Sequence, residues 1–499
     1  MNIKEAKEEI INTIQAYLKK DETGAYEIPV ERQRPVLLMG PPGIGKTAIM
    51  EQVARECGIN LVSYTITHHT RQSAIGLPYI SQREYGGKTY SVTEYTMSEI
   101  IASVYEQIER SGIREGILFL DEINCVSETL TPTMLQFLQY KTFGSHKVPD
   151  GFIVVTAGNP PQYNRSVRDF DLVTLDRVKR INVEADYGAW KAYARQAGIH
   201  GSILTYLEIK NKNFYSIRTD VEEKYFVTAR GWEDLSRILT VYEEMGRPVD
   251  EKLCVQYLQD PEIARDYATY YELYNRYKTV YQVQEILAGR LEEGESSLKT
   301  APFDEKLSLL GLLLDSLDQE FRGYAEALEV QRALFGRLKR LGEEEKSQPA
   351  DALETQIREA ERSYAGKKEA GLLSPEQERE QRLVIRALQE LKRKLALDQA
   401  SGAGAEEEIR QWFNTREQQR NEAVDRAGEH LTNCFAFLER TFGEEQELVI
   451  FLSELSAGYY SLKYVSECGN DAYYRYNRLL LLKDQQQELK DQIRQVMQL

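Results

Sequence analysis

Apolar residues at Ile3, Ala6, Ile10, Ile14 and Leu18 recur at helical spacing and predict an amphipathic helix at the start of the chain. Short, mainly apolar runs follow at 36–39, 61–66, 117–120 and 152–157, with helical segments between several of them. Strands of this kind belong to a parallel sheet covered on both faces. The pattern then changes. From about 186 to 280 it is helical and rich in tyrosine, with Tyr267, Tyr270, Tyr274, Tyr277 and Tyr281 three or four residues apart. This is an aromatic core stripe or, alternatively, an interface with a subunit or partner.

Beyond 281 the chain is helical with a polar middle. Val384, Leu388, Leu391 and Leu395 form a short heptad seam, as do Leu353, Ile357, Ala360 and Tyr364. Ser374-Pro375-Glu376-Gln377 predicts a helix start with a capping box, and 342–351 and 398–408 predict loops. The expected organisation is an α/β domain over 1–185, a helical lid over 186–280 and a helical region over 281–499. A coiled-coil-like helical hairpin is expected to project at about 320–425.

The 499 residues fit about three structural units. The chain carries 63 Lys and Arg against 79 Asp and Glu, a net charge of −16. That balance argues against a surface built to coat nucleic acid. Cys57, Cys125, Cys254, Cys434 and Cys468 lie far apart without a CxxC pair and are expected to be reduced, buried thiols. No apolar run approaches the ~20 residues that span a bilayer, and the first residues lack a signal peptide's apolar core, so a cytoplasmic location is expected.

Candidate chemistry concentrates in the first domain. Gly40-Pro41-Pro42-Gly43-Ile44-Gly45-Lys46-Thr47 satisfies GxxxxGK[ST], with a strand before it and a helix from Ala48 after it. Glycines let backbone N–H groups turn in around phosphate oxygens, and the helix N-terminus adds partial positive charge. Lys46 is placed to reach the β- and γ-phosphates and the Thr47 hydroxyl to ligate Mg²⁺. The apolar strand ending in Asp121-Glu122 is the matching second element. Asp121 is expected to hold Mg²⁺ through water, and Glu122 to act as general base on the attacking water. The strand over 152–157 leads into Gly158-Asn159-Pro160-Pro161, where the Asn159 amide can position that water and read the γ-phosphate. The bound nucleotide would be ATP.

Together these three elements resemble an AAA+ ATPase. The segments His68–Pro78 and Thr228–Ser236 resemble the MoxR branch, of the dynein-related AAA_5 type. The resemblance covers roughly 1–285; the C-terminal half matches no domain of known activity. It implies a ring, usually hexameric, with nucleotide between neighbours. It also implies an arginine finger from the adjoining copy, for which Arg177 in Leu175-Asp176-Arg177-Val178 is the candidate. Val178 stands where the family has Phe, and Arg165, Arg168 and Arg180 are close in sequence. Arg230 matches the lid arginine that touches phosphate in cis, with Ala229 in place of the usual proline. The family further implies chaperone-like remodelling or maturation of another protein, hydrolysis shifting the lid against the core, and a partner bearing a von Willebrand A domain.

Tyr79–Val92 alternates around Gly86-Gly87 and predicts a β-hairpin, and a second turn is predicted within Lys141–Lys147. In the family such hairpins face the pore or a client; covering a sheet edge is the alternative. Thr96-Met97-Ser98-Glu99 reads as the cap of a helix carrying Ile100, Val104 and Ile108. His68 and His69 lack a third metal ligand at usable spacing and are expected near the nucleotide or a subunit contact. The acidic runs 343–345 and 406–408 read as solvated loop charge. Two rival functions remain open on sequence alone: an AAA+ motor on nucleic acid, and a scaffold that binds ATP to assemble but barely turns over.

Overall fold

In the computed structural model, residues 1–479 are described apart from 69–73, 127–129, 144–145, 164–169, 220–222, 291–297, 344–348, 370 and 398–402. Two compact units make up the fold. The first comprises Met1–Trp190 with Thr228–Arg230 and Lys367–Leu373; the second comprises Lys191–Val227, Gly231–Gly366 and Ser374–Leu499.

The four apolar runs form strands of one parallel sheet in the first unit. Its order is Asn60–Thr65, Gly116–Asp121, Phe152–Gly158, Val36–Met39, Lys179–Asn182. Every residue of Val36–Met39 and Phe152–Gly158 is buried, as a sheet covered on both faces requires. The fifth strand, Lys179–Asn182, is not among those predicted. It pairs beside Val36–Met39 at the sheet edge, and only Ile181 of its four residues is buried. The first helix, Ile3–Leu18, is opened by a reciprocal Asn2–Glu5 capping box and buries Ala6, Ile10 and Ile14.

The hairpin forms between Pro78–Tyr85 and Lys88–Tyr95, with Tyr85 opposite Lys88 across the Gly86-Gly87 turn. The helix that follows, Glu99–Ser111, buries Ile100 and Val104 as expected. Its cap is not Thr96, however. Ser98 accepts the Ile101 N–H, whereas the Thr96 hydroxyl accepts the Leu77 N–H and fastens the base of the hairpin. Thr142–Phe143 pairs with His146–Lys147; residues 144–145 of that second turn lie outside the described residues.

The second unit is dominated by long helices: Phe303–Glu343, Pro349–Glu369, Pro375–Leu397 and Ala403–Phe442. Leu353, Ile357, Val384, Leu388, Leu391 and Leu395 share one buried cluster, so the two seams face a common core. The capping box at Ser374 and Gln377 is formed in both directions, at 3.0 and 3.2 Å. The loop predicted over 398–408 is shorter, because Ala403 already begins a helix that carries Glu406–Glu408; 398–402 lie outside the described residues. Of the acidic run 343–345, residues 344–345 also lie outside them.

Tyr267, Tyr271 and Tyr274 on helix Pro261–Val280 are buried. Tyr270, Tyr277 and Tyr281 pack against the cluster that holds Leu309, Phe321 and Phe435, so the tyrosine stripe is core. The cysteines are all free, but only Cys254 and Cys434 are buried; Cys468 is exposed, against expectation. No helix among the described residues is long and apolar enough to cross a membrane.

Trp232 anchors the beginning of the second unit. It is fully buried, donates its ring N–H to Phe214 O, and packs against Tyr206 and Tyr267. Trp232→Ala is expected to lower stability by about 3–5 kcal/mol. The check is the urea midpoint of the unfolding transition that reports this unit. A change below about 1 kcal/mol would mean that these contacts carry little.

Candidate active site

The site is built where three parallel strands end side by side. Met39 lies opposite Gly158, and Asp121 ends the strand on the far side of Phe152–Gly158. Loops after such carboxyl ends are where open α/β sheets bind ligands. The loop after Met39 turns at Gly43 and Gly45, whose φ angles of +72° and +92° exclude an ordinary side chain. A Cβ on Gly43 would also meet Thr228 at 2.8 Å. Gly45 caps the helix Lys46–Cys57, and a Cβ there would meet nothing within 4 Å, so the helix N-terminus opens onto free space. Pro41 and Ile44 are buried, Pro42 is half-buried, and Gly45, Thr47 and Ala48 are exposed along this mouth.

Lys46 is buried, only 8% exposed. Its Nζ donates to Gly40 O at 2.8 Å, Pro41 O at 2.7 Å and Asn159 Oδ1 at 2.9 Å. Burial is the largest influence on its pKa and pushes it down to about 8; Asp121 and Glu122 pull it back up, and Arg230 lowers it further. An anion at the loop mouth would restore the ammonium's preference for its charged form. The Thr47 hydroxyl donates to Asp121 Oδ2 at 2.7 Å, so two hard oxygen donors meet at the end of the cradle.

Glu122 occupies strained left-handed backbone at φ +56°. The turn is held by the Glu122 N–H on Asp121 Oδ1 at 2.9 Å and by the Cys125 N–H on Glu122 O at 2.9 Å. Its carboxylate accepts the Thr67 hydroxyl at 3.2 Å. Asn159 is fixed from behind by Asn124, whose Nδ2 donates to Asn159 O at 2.8 Å.

The structure thus brings together Gly40–Ala48, Asp121, Glu122 and Asn159. Arg230 joins them through its backbone: it lies in the first turn of helix Ala229–Glu244, and its N–H donates to Gly43 O at 3.3 Å. Arg177 stands apart. It is exposed and donates to Gln139 Oε1 at 2.7 Å, while the adjacent Val178 is buried in the core of the first unit. Arg180 donates to Asn182 Oδ1, and Arg165, Arg168 and His69 lie outside the described residues. Thr67, Asn124 and Thr228 were not singled out from the sequence. Asn124 sits inside the Asp121–Asn124 box, but only the folded chain shows that it braces Asn159.

Residues 36–175 match the family model described as ATPase family associated with various cellular activities (AAA). The segment is an AAA domain. It contains the P-loop, both acidic residues and Asn159; Arg177 and Arg230 fall beyond the matched residues. No curated protein matches the chain. The AAA domain's cradle has the features a magnesium–triphosphate requires: a glycine-lined turn with a free helix N-terminus, a buried ammonium, and paired hydroxyl and carboxylate oxygens.

Proposed function

We propose that the chain is a Mg²⁺-dependent ATPase that works as an oligomeric ring, with a hexamer expected, and drives remodelling or maturation of a partner protein. The observation that carries the ATPase reading is the placement of Lys46, Thr47, Asp121, Glu122 and Asn159 around one cradle inside an AAA domain.

Lys46 and the N–H groups at the start of helix Lys46–Cys57 hold the phosphates. Thr47 and Asp121 hold Mg²⁺, which when bound neutralises charge on the phosphate oxygens. Glu122, steadied by Thr67, takes the proton of the attacking water. Asn159 orients that water from the neighbouring strand end. Arg230 contacts phosphate in cis, and Arg177 of a neighbouring copy completes the charge stabilisation.

The resemblance of His68–Pro78 and Thr228–Ser236 to MoxR-type proteins supports the chaperone-like role and a partner with a von Willebrand A domain. Residues 69–73 of the first segment lie outside the described residues. The net charge of −16 weighs against a nucleic-acid partner, and a cytoplasmic location fits this role.

Phosphate release by the purified chain tests the proposal. It should be steady with ATP and Mg²⁺ and fall to background on chelation with EDTA. DNA should leave the rate unchanged. Lys46→Ala should weaken ATP binding at least about a hundredfold, since it removes a charged partner of the phosphates. Turnover that needs no divalent cation, or that Lys46→Ala retains, would overturn the assignment.

A further inference from the structure

The second unit holds a cavity of about 450 Å³, partly open to solvent, that shares no residue with the nucleotide cradle. This is the size of a small-molecule site. Part of its wall is apolar, including Leu310, Leu314 and Phe321. The rest is charged, and the charges do not balance locally.

Asp315 and Asp318 lie one turn apart on helix Phe303–Glu343 and both line the cavity. Neither makes an ion pair among the described residues. The cations around them are already engaged. Lys191 pairs with Glu208 and Glu454, at 2.5 and 2.8 Å, and Arg195 pairs with Glu454. Arg322 donates to Arg195 O and Gln196 O at 3.2 and 3.1 Å and lies over the Tyr460 ring. His200 faces Glu243 at 3.1 Å. Lys278, the other cation on the wall, is exposed to water. Burial pushes Asp318 up to about 6 and raises Asp315, and the cations that act against it, Arg322 on Asp318 and His200 and Lys278 on Asp315, do not offset it.

A second observation is independent of the acids. Tyr274 is 2% exposed and lines the same cavity, yet its hydroxyl has no hydrogen-bond partner among the described residues. Buried hydroxyls are normally paired, and an orphan is costly. The Tyr274 hydroxyl and Asp315 Oδ1 each lie 2.8 Å from the point a Cβ on Gly201 would occupy. A Cβ there would also meet Asp315 Cγ at 2.6 Å, so the bare Gly201 backbone is what lets Asp315 and the Tyr274 hydroxyl come this close to it.

We propose that this cavity is a binding site for a small amphipathic amine. Its ammonium sits between Asp315, Asp318 and the Tyr274 hydroxyl, and its apolar body lies against Leu310, Leu314 and Phe321. An ammonium supplies up to three donors and one positive charge, which matches what these groups lack. A single aliphatic chain suits the apolar wall.

The test is isothermal titration of the full-length protein with hexylamine at neutral pH, with hexanol and hexanoate as charge controls. Hexylamine should bind at least about tenfold more tightly than either control. Asp315→Asn and Asp318→Asn should each weaken hexylamine at least about tenfold while ATP binding stays as in wild type. Tyr274→Phe should weaken the amine without lowering the melting temperature, because it deletes an unpaired hydroxyl and keeps the ring. The last outcome separates a ligand-facing hydroxyl from one that supports the fold. No heat with hexylamine would overturn the proposal. So would equal affinity for hexanol, or full affinity in both aspartate variants.

Discussion

Glu122→Gln should bind ATP with wild-type affinity and lose turnover by about 10²–10⁴-fold, the range that a positioned general base supplies. The substitution suits the local geometry. Glutamine keeps the side-chain length, and its carbonyl oxygen can still accept the Thr67 hydroxyl that Glu122 accepts at 3.2 Å. The strained backbone at φ +56° is held by the Asp121 carboxylate and by the Cys125 N–H, neither of which the substitution touches. The cradle around Lys46 and Thr47 is likewise untouched. What disappears is the group proposed to take the water's proton. Phosphate release and equilibrium binding of ATP, measured on the same preparation, separate the two effects. Hydrolysis at the wild-type rate would place the base elsewhere.

Arg177→Ala should cost about 10³-fold or more in turnover if the guanidinium acts on a neighbour's γ-phosphate. Its stability cost should be small, within about 0.5 kcal/mol, because the side chain is exposed and bonds only Gln139 among the described residues. The buried Val178 beside it keeps the backbone in place. Mixing Arg177→Ala with Lys46→Ala distinguishes trans from cis action. An Arg177→Ala chain retains a complete P-loop, and a Lys46→Ala neighbour retains the arginine. Activity in the mixture well above either variant alone is the expected result. Two inactive variants that stay inactive when mixed would assign Arg177 a role within its own chain.

The turn and helix that form the cradle were legible in the sequence because their geometry is local. Gly43, Gly45, Lys46 and Thr47 lie within one turn, and the strand and helix that frame them are short periodic segments. Asp121, Glu122 and Asn159 were legible because each follows a short apolar run read as a strand downstream of the glycine-rich turn. The bracing residues were not. Thr67 and Asn124 act on Glu122 and Asn159 across strands, and Thr228 reaches Gly43 from far along the chain, so no local spacing marks them.

The fifth strand was missed for a related reason. Lys179–Asn182 lies at an edge, where a single buried Ile181 gives no apolar run. Thr96 fitted the capping pattern as well as Ser98 did in sequence. Only the pairing of Thr96 with Leu77 shows that its hydroxyl is spent on the hairpin. In the helical half, heptad spacing predicted the buried faces correctly. It could not show that Asp315 and Asp318, ordinary acids on a long helix, line a cavity with Tyr274.

Calorimetric titration of ATP and Mg²⁺ into the wild-type chain and into Lys46→Ala, both shown to be folded, reads the cradle itself. One nucleotide per wild-type chain, and none detectable in the variant at the same concentrations, is the expected result. A wild-type chain that takes up no nucleotide, or a variant that binds it equally well, would contradict the account.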